Sequence, residues 1–168
     1  MLKVISFMIV GLIMVGCGVD KGPSVKSSRY QSVTPDKAVL LQSGKNKRYC
    51  SRCGMDLAKF YKTNHVAVHK GKVYQYCSIH CLEDHLREGI TLKNPRVVDV
   101  ASLKFISVAD AKYVVGSKKP GTMSRVSKYA FASLDDAKKF QAKYGGEIMS
   151  FSGARAKAQE DFKFKRKY

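Results

Sequence analysis

The stretch His65-Val66-Ala67-Val68-His69-Lys70-Gly71-Lys72-Val73-Tyr74-Gln75-Tyr76 decides the fold. Residues alternate on both sides of Lys70-Gly71, the pattern of two short strands joined by a tight turn. Directly after it, Ser78 stands where a helix cap belongs. Ile79, Leu82 and Leu86 then fall on one helical face, and Gly89 ends the run. Arg96-Val97-Val98-Asp99-Val100 reads as a further strand. The order is strand, strand, helix, strand.

The same order returns downstream. Lys112-Tyr113-Val114-Val115 and Tyr129-Ala130-Phe131 read as strands. Ser133-Leu134-Asp135-Asp136 opens a helix with a capping-box pattern, and Ala137, Phe140 and Tyr144 supply its buried side. Gly145-Gly146 stop it, and Glu147-Ile148-Met149-Ser150-Phe151 follow as a strand. The expected fold is α+β, two small repeated ββαβ units spanning 48–104 and 105–152. Superposing Ser78 on Ser133 puts Cys77 and Cys81 on Ala132 and Asp136, so only the first unit carries thiols.

Outside these units the composition changes. Residues 4–15 form an apolar run interrupted by Ser6 and Gly11, after a single Lys3. This is short for a membrane span and suits the core of a signal peptide over 1–16. It ends in Met14-Val15-Gly16-Cys17, which is similar to the lipobox of bacterial lipoproteins, with methionine in place of the usual leucine. Cys17 is the candidate lipidation site, and its acyl chains would hold the protein on a membrane. Gly18 is not the aspartate that commonly signals retention at the inner membrane, and both membranes stay open. Residues 17–47 read as a tether, with a short strand near Ala38–Gln42. Residues 153–168 read as a solvated basic tail. The net charge is +18. Export removes nucleic acid as a partner, leaving anionic headgroups, acidic proteins or a plainly solvated surface.

Five cysteines are an odd set. Assigning Cys17 to lipid leaves two pairs, Cys50/Cys53 and Cys77/Cys81, in the pattern C-x2-C-x23-C-x3-C. A hairpin between such pairs, with the second pair opening a helix, suits a treble-clef-like metal site in the first unit. Four thiolates suit tetrahedral zinc. Met55 follows Cys50-Ser51-Arg52-Cys53-Gly54 directly, and thiolate with thioether is a soft donor set that selects Cu(I). An oxidising compartment drives paired thiols towards disulfides, so Cys77/Cys81 stay open between metal binding, a disulfide and neither. Met123 can approach from the second unit. His80 and His85 lie near the thiols as possible further ligands, and His65 and His69 flank the site on a strand. No phosphate-cradling glycine loop, nucleophile elbow or carboxylate pair points to an enzyme.

Tyr49-Cys50-Ser51-Arg52-Cys53-Gly54-Met55, then Ala111-Lys112-Tyr113-Val114-Val115-Gly116-Ser117, then Gly121-Thr122-Met123 occur in order. Ala130-Phe131-Ala132, Ala137, Phe140 and Tyr144-Gly145-Gly146 complete the series. This series resembles the NosL family, copper-binding accessory lipoproteins of nitrous oxide reductase maturation. The resemblance implies a lipoprotein on the periplasmic side of a bacterial membrane. It would bind Cu(I) and pass it towards the reductase's copper centres with a membrane transporter complex. It also implies two ββαβ units. Cys50, Cys53 and Met55 match the family's metal motif and Met123 its Gly-x-Met segment. A structural zinc site of four cysteines, or a disulfide-stapled, partner-binding lipoprotein, is the alternative.

Overall fold

A computed structural model describes residues 29–164. The candidate leader 1–16, Cys17, the first part of the tether and residues 165–168 lie outside the described residues. The first unit holds β1 (His65–His69), β2 (Lys72–Tyr76), α1 (Ile79–Leu86) and β3 (Lys93–Val98), with a short β4 (Phe105–Ser107) added at its edge. The second holds β5 (Lys112–Val115), β6 (Lys128–Phe131), α2 (Leu134–Tyr144) and β7 (Glu147–Met149). A helix α3 (Phe151–Phe164) follows. The fold is α+β.

The two units share one topology. In the first sheet the order is β2-β1-β3-β4 and in the second β6-β5-β7, all antiparallel. In each, the first strand is central, its hairpin partner lies on one side, and the strand after the helix lies on the other. Lys70 and Gly71 both adopt positive φ (47° and 76°) at the β1–β2 turn, which Gly71 tolerates without a Cβ penalty. Ser133 caps α2 by accepting from the amides of Asp135 and Asp136. Ser78 is extended ahead of α1 and makes no such bond.

Three apolar clusters fill the molecule. Ile79, Val97, Tyr113, Val115, Ala154 and Ala158 pack where the two units meet α3. Tyr129, Phe131, Phe140 and Ala137 fill the second unit, with Tyr30 and Tyr144 against them. The remaining cluster contains Cys50, Cys77 and Cys81 among Leu57, Tyr76 and Leu82. The thiol pairs are therefore built into apolar packing.

Several expectations need correction. The second unit does not begin at 105, because Phe105–Ser107 pairs with β3 and extends the first sheet. The strand expected over 147–151 stops at Met149, and Phe151 already belongs to α3. The segment Ala38–Gln42 forms no strand. Gln75 takes the place of a ladder: its side chain accepts from the Leu41 amide (2.8 Å) and donates to the Val39 carbonyl (3.1 Å), while Gln42 accepts from the Gln75 amide (3.0 Å). The reading of 17–47 as a tether stops short of its end, because Tyr30, Gln31 and residues 38–42 belong to the fold. The solvated tail from 153 is also wrong for residues 153–164. Ser150 ends β7 and starts α3, which buries Ala154 and Ala158 and ties Arg155 and Gln159 to Glu83 of α1. Among the described residues no helix is long and apolar enough to cross a membrane.

Candidate metal centre

The first thiol pair sits on a knuckle. The Cys50 amide donates to the Met55 carbonyl (2.8 Å) and the Gly54 amide to the Cys50 carbonyl (3.0 Å). Gly54 has φ +73°, where a side chain is strained. Tyr49 and Asp56 form a bridge that closes the base of the loop. The second pair straddles the end of β2 and the first turn of α1. That one-turn spacing places Cys77 Sγ 3.7 Å from Cys81 Sγ. The knuckle is stitched to β2 by the Ser51 amide donating to the Gln75 carbonyl (3.1 Å).

These elements bring all four sulfurs within 4.8 Å of one another. Cys53 Sγ stands 3.5 Å from Cys77 Sγ, and Met55 Sδ stands 3.9 Å from the same atom. None is in a disulfide. A metal–thiolate bond of about 2.3 Å sets tetrahedral edges of about 3.8 Å, so the two closest edges already have the size of a thiolate cage. Cys50, Cys77 and Cys81 are buried and Cys53 is exposed. The centre is enclosed on three sides and open at one sulfur. A cleft of about 440 Å³ lined by Tyr49, Cys50, Gly54, Lys72 and Tyr74, among others, runs beside the knuckle.

The thiols divide unequally over charge. Hydrogen bonds from Cys53, then Cys77 and Cys81, hold Cys50 far below the ordinary thiol range. Cys53 feels Cys50 pushing it up, but bonds from Cys77 and Cys81 outweigh this and bring it down to about 7. Cys77 is pushed up by its bonds to Cys50, Cys53 and Cys81, and Cys81 chiefly by Cys50 and Cys53. The four thiols titrate as one coupled set, and a cation bound by their thiolates displaces the protons the set still holds.

The second unit reaches the centre through Gly121-Thr122-Met123. The Thr63 hydroxyl stands 2.7 Å from the Cys77 carbonyl oxygen and 2.9 Å from the Thr122 hydroxyl. Met123 packs, partly buried, against the cluster that holds the cysteines and adopts φ +58°. That left-handed conformation costs a non-glycine residue about 1–2 kcal/mol. A Cβ at Gly121 would collide with the Ser124 carbonyl, so the glycine of this segment is a steric requirement.

The histidines lie elsewhere. His80 stacks on Phe162 of α3, centroids 4.2 Å apart. His85 Nδ1 is 2.8 Å from the Tyr76 hydroxyl, and its ring contacts Tyr74 and His69. His65 is buried against Tyr113, whose hydroxyl is 3.0 Å from His65 Nε2. Among the described residues the gathered ligand atoms are the four thiols and no imidazole. Arg52, between the knuckle cysteines, has a role that spacing alone does not reveal. Its guanidinium donates to Asp84 of α1 (2.9 Å) and to Glu88 just past the helix end (2.5 Å), and straps the knuckle to the helix bearing Cys81.

Comparison with curated protein sequences returns no match. Among solved structures, the crystal structure of the copper chaperone NosL from Shewanella denitrificans superposes with a TM-score of 0.54 at 25% identity. The alignment covers 67% of this chain and 92% of that one. The NosL family model matches residues 42–158, from the segment that enters the knuckle through the first half of α3. That span takes in both ββαβ units and every gathered sulfur, and on this agreement of sequence and fold the chain belongs to the NosL family.

Proposed function

We propose that this chain carries Cu(I) on the periplasmic side of a bacterial membrane, held there by acylation at Cys17, and delivers it for assembly of the copper centres of nitrous oxide reductase. One observation carries the reading: four thiol sulfurs and the Met55 thioether converge on one apolar pocket with a single exposed sulfur. Five soft donors around one position favour a soft ion. Cu(I) is the cargo, and the chain's own residues receive and release it. Cys53, exposed and brought down to about 7, is the point of entry. Buried Cys50, Cys77 and Cys81 close around the cation as the coupled thiol set gives up its protons. Release runs backwards by ligand exchange: an incoming thiolate, thioether or imidazole takes one coordination position as Cys53 gives it up. Met55, and Met123 from the second unit, supply neutral donors that do not form disulfides in an oxidising compartment.

One observation favours a second reading. The Cys53–Cys77 and Cys77–Cys81 separations of 3.5 and 3.7 Å also suit a closed zinc site of four thiolates. The exposed sulfur and the adjacent thioether favour the carrier. Deleting the chain is expected to leave nitrous oxide reductase short of copper, and a Cys50→Ser, Cys53→Ser chain is expected not to restore it. Full copper loading of the reductase in the deletion strain would refute the delivery role.

A further inference from the structure

Three lysines gather on aromatic rings where the described chain begins, at Tyr30. Lys62 Nζ lies 4.5 Å from the Tyr30 ring centroid and Lys119 Nζ 4.6 Å from the same centroid. Lys119 Nζ is also 4.3 Å from the Tyr144 centroid, and Lys143 Nζ is 5.4 Å from it. Tyr30 and Tyr144 stand 6.0 Å apart.

The placement is built from four chain segments. The Lys62 amide donates to the Gln31 carbonyl (3.1 Å), the Gln31 side chain donates to the Pro120 carbonyl (2.9 Å), and the Lys118 amide donates to the Tyr144 carbonyl (2.8 Å). Like charges held together repel. Lys62, Lys119 and Lys143 are in no ion pair with a carboxylate, as is true of most basic side chains among the described residues; what sets them apart is their gathering on Tyr30 and Tyr144. The proximity of Lys119, after burial, holds Lys62 below its ordinary range. Cation–π contact with the rings offsets part of this repulsion.

We propose that this Tyr30/Tyr144–lysine face is a binding surface for anionic phospholipid headgroups, which seats the folded domain on the membrane. Tyr30 and Tyr144 pack one side on the second unit's core and hold the lysines on the other, which leaves the ammonium groups as the part of the face that meets headgroup phosphate. Position agrees. Eleven residues lie between Cys17 and Arg29, the first described residue, and at full extension they reach at most about 40 Å. The patch is where that leash enters the fold. The surface rests on the Cys17 lipid anchor proposed in the preceding subsection and fixes which face of the domain turns to the bilayer.

The test is lysine footprinting of the full chain on vesicles of phosphatidylcholine alone and of phosphatidylcholine with phosphatidylglycerol. Lys62, Lys119 and Lys143 are expected to label more slowly on the anionic vesicles, and Lys70 and Lys93 at unchanged rates. With roughly 1 kcal/mol per lysine at a charged surface, Lys62→Gln with Lys119→Gln weakens docking about thirty-fold and restores Lys143 labelling. Lys70→Gln with Lys93→Gln, which removes the same charge elsewhere, leaves Lys143 protected. Equal labelling on both vesicles overturns the proposal. So does loss of protection in the control variant, which would make the attraction a property of net charge. Inorganic phosphate with phosphatidylcholine vesicles reproducing the protection would make this a small-anion site and overturn the membrane assignment. Intact mass reports acylation separately, so a missing anchor and a missing patch are told apart.

Discussion

At the scale of single residues, the centre separates reactivity from stability. Cys53 is exposed, whereas Cys77 is buried among apolar neighbours. Cys53→Ser is expected to change folding stability by no more than about 0.5 kcal/mol, as surface substitutions do, while weakening Cu(I) binding. Met55→Leu keeps the side-chain volume and removes the thioether. Its stability cost should stay below about 1.5 kcal/mol, and Cu(I) affinity or the rate of transfer to an acceptor should fall. Unchanged affinity and transfer would remove Met55 from the ligand set. His65 gives a pH signature. Burial depresses it from 6.5 to about 4, so the fold favours the neutral ring. The stability this confers is complete above pH 6.5 and is lost as pH falls towards 4, by about 3 kcal/mol. Denaturant titrations across that window should show the loss, and a His65→Gln chain should show less of it. The cysteines and Met55 were legible because short spacings report local geometry. Arg52 was not, because its acceptors, Asp84 on α1 and Glu88 just past its end, are brought near only in the folded chain.

At the scale of elements, α3 is the instructive case. Its charged residues Arg155, Lys157, Glu160, Asp161 and Lys163 lead into a Lys- and Arg-rich end, and read alone the segment resembles a solvated tail. The helix exists because Ala154 and Ala158 are small enough to pack closely where the units meet, and because Arg155 and Gln159 find Glu83, which is 1% exposed. Neither reason is visible without the partner surface. Arg155→Ala strands a buried carboxylate. The expected cost is about 3 kcal/mol, at the low end for a buried pair because the guanidinium is partly solvated. Adding Glu83→Gln should recover part of that loss in thermal unfolding, and additive losses would show that the pair is not coupled. The hairpin β1–β2 and the helix α2 were legible for the opposite reason: alternation, a glycine turn and the Ser133 cap are local signals. The segment 38–42 was misread as a strand because glutamine side chains, which carry no pattern, replaced the ladder.

At the scale of the molecule, a repeated ββαβ topology was divided between two tasks. The first unit places cysteines at the end of its hairpin and the start of its helix. The second places Ala132 and Asp136 at the matching positions and fills its interior with Tyr129, Phe131 and Phe140. The second unit still serves the centre, through Thr122 and Met123, and braces α1 through α3. The repeat was visible in the order of strands and caps. The meeting of Thr122 with Thr63 was not, since it depends on how the two sheets dock. The central claim is that the converged sulfurs form a site selective for Cu(I). It is tested most directly by titrating reduced protein that begins at residue 18 with Cu(I) in the presence of equimolar Zn(II), beside a Cys50→Ser, Cys53→Ser variant. The account predicts that the chain retains copper over zinc, with a thiolate charge-transfer band that the variant lacks. Tight retention of Zn(II), with Cu(I) bound no better than by the variant, would contradict it.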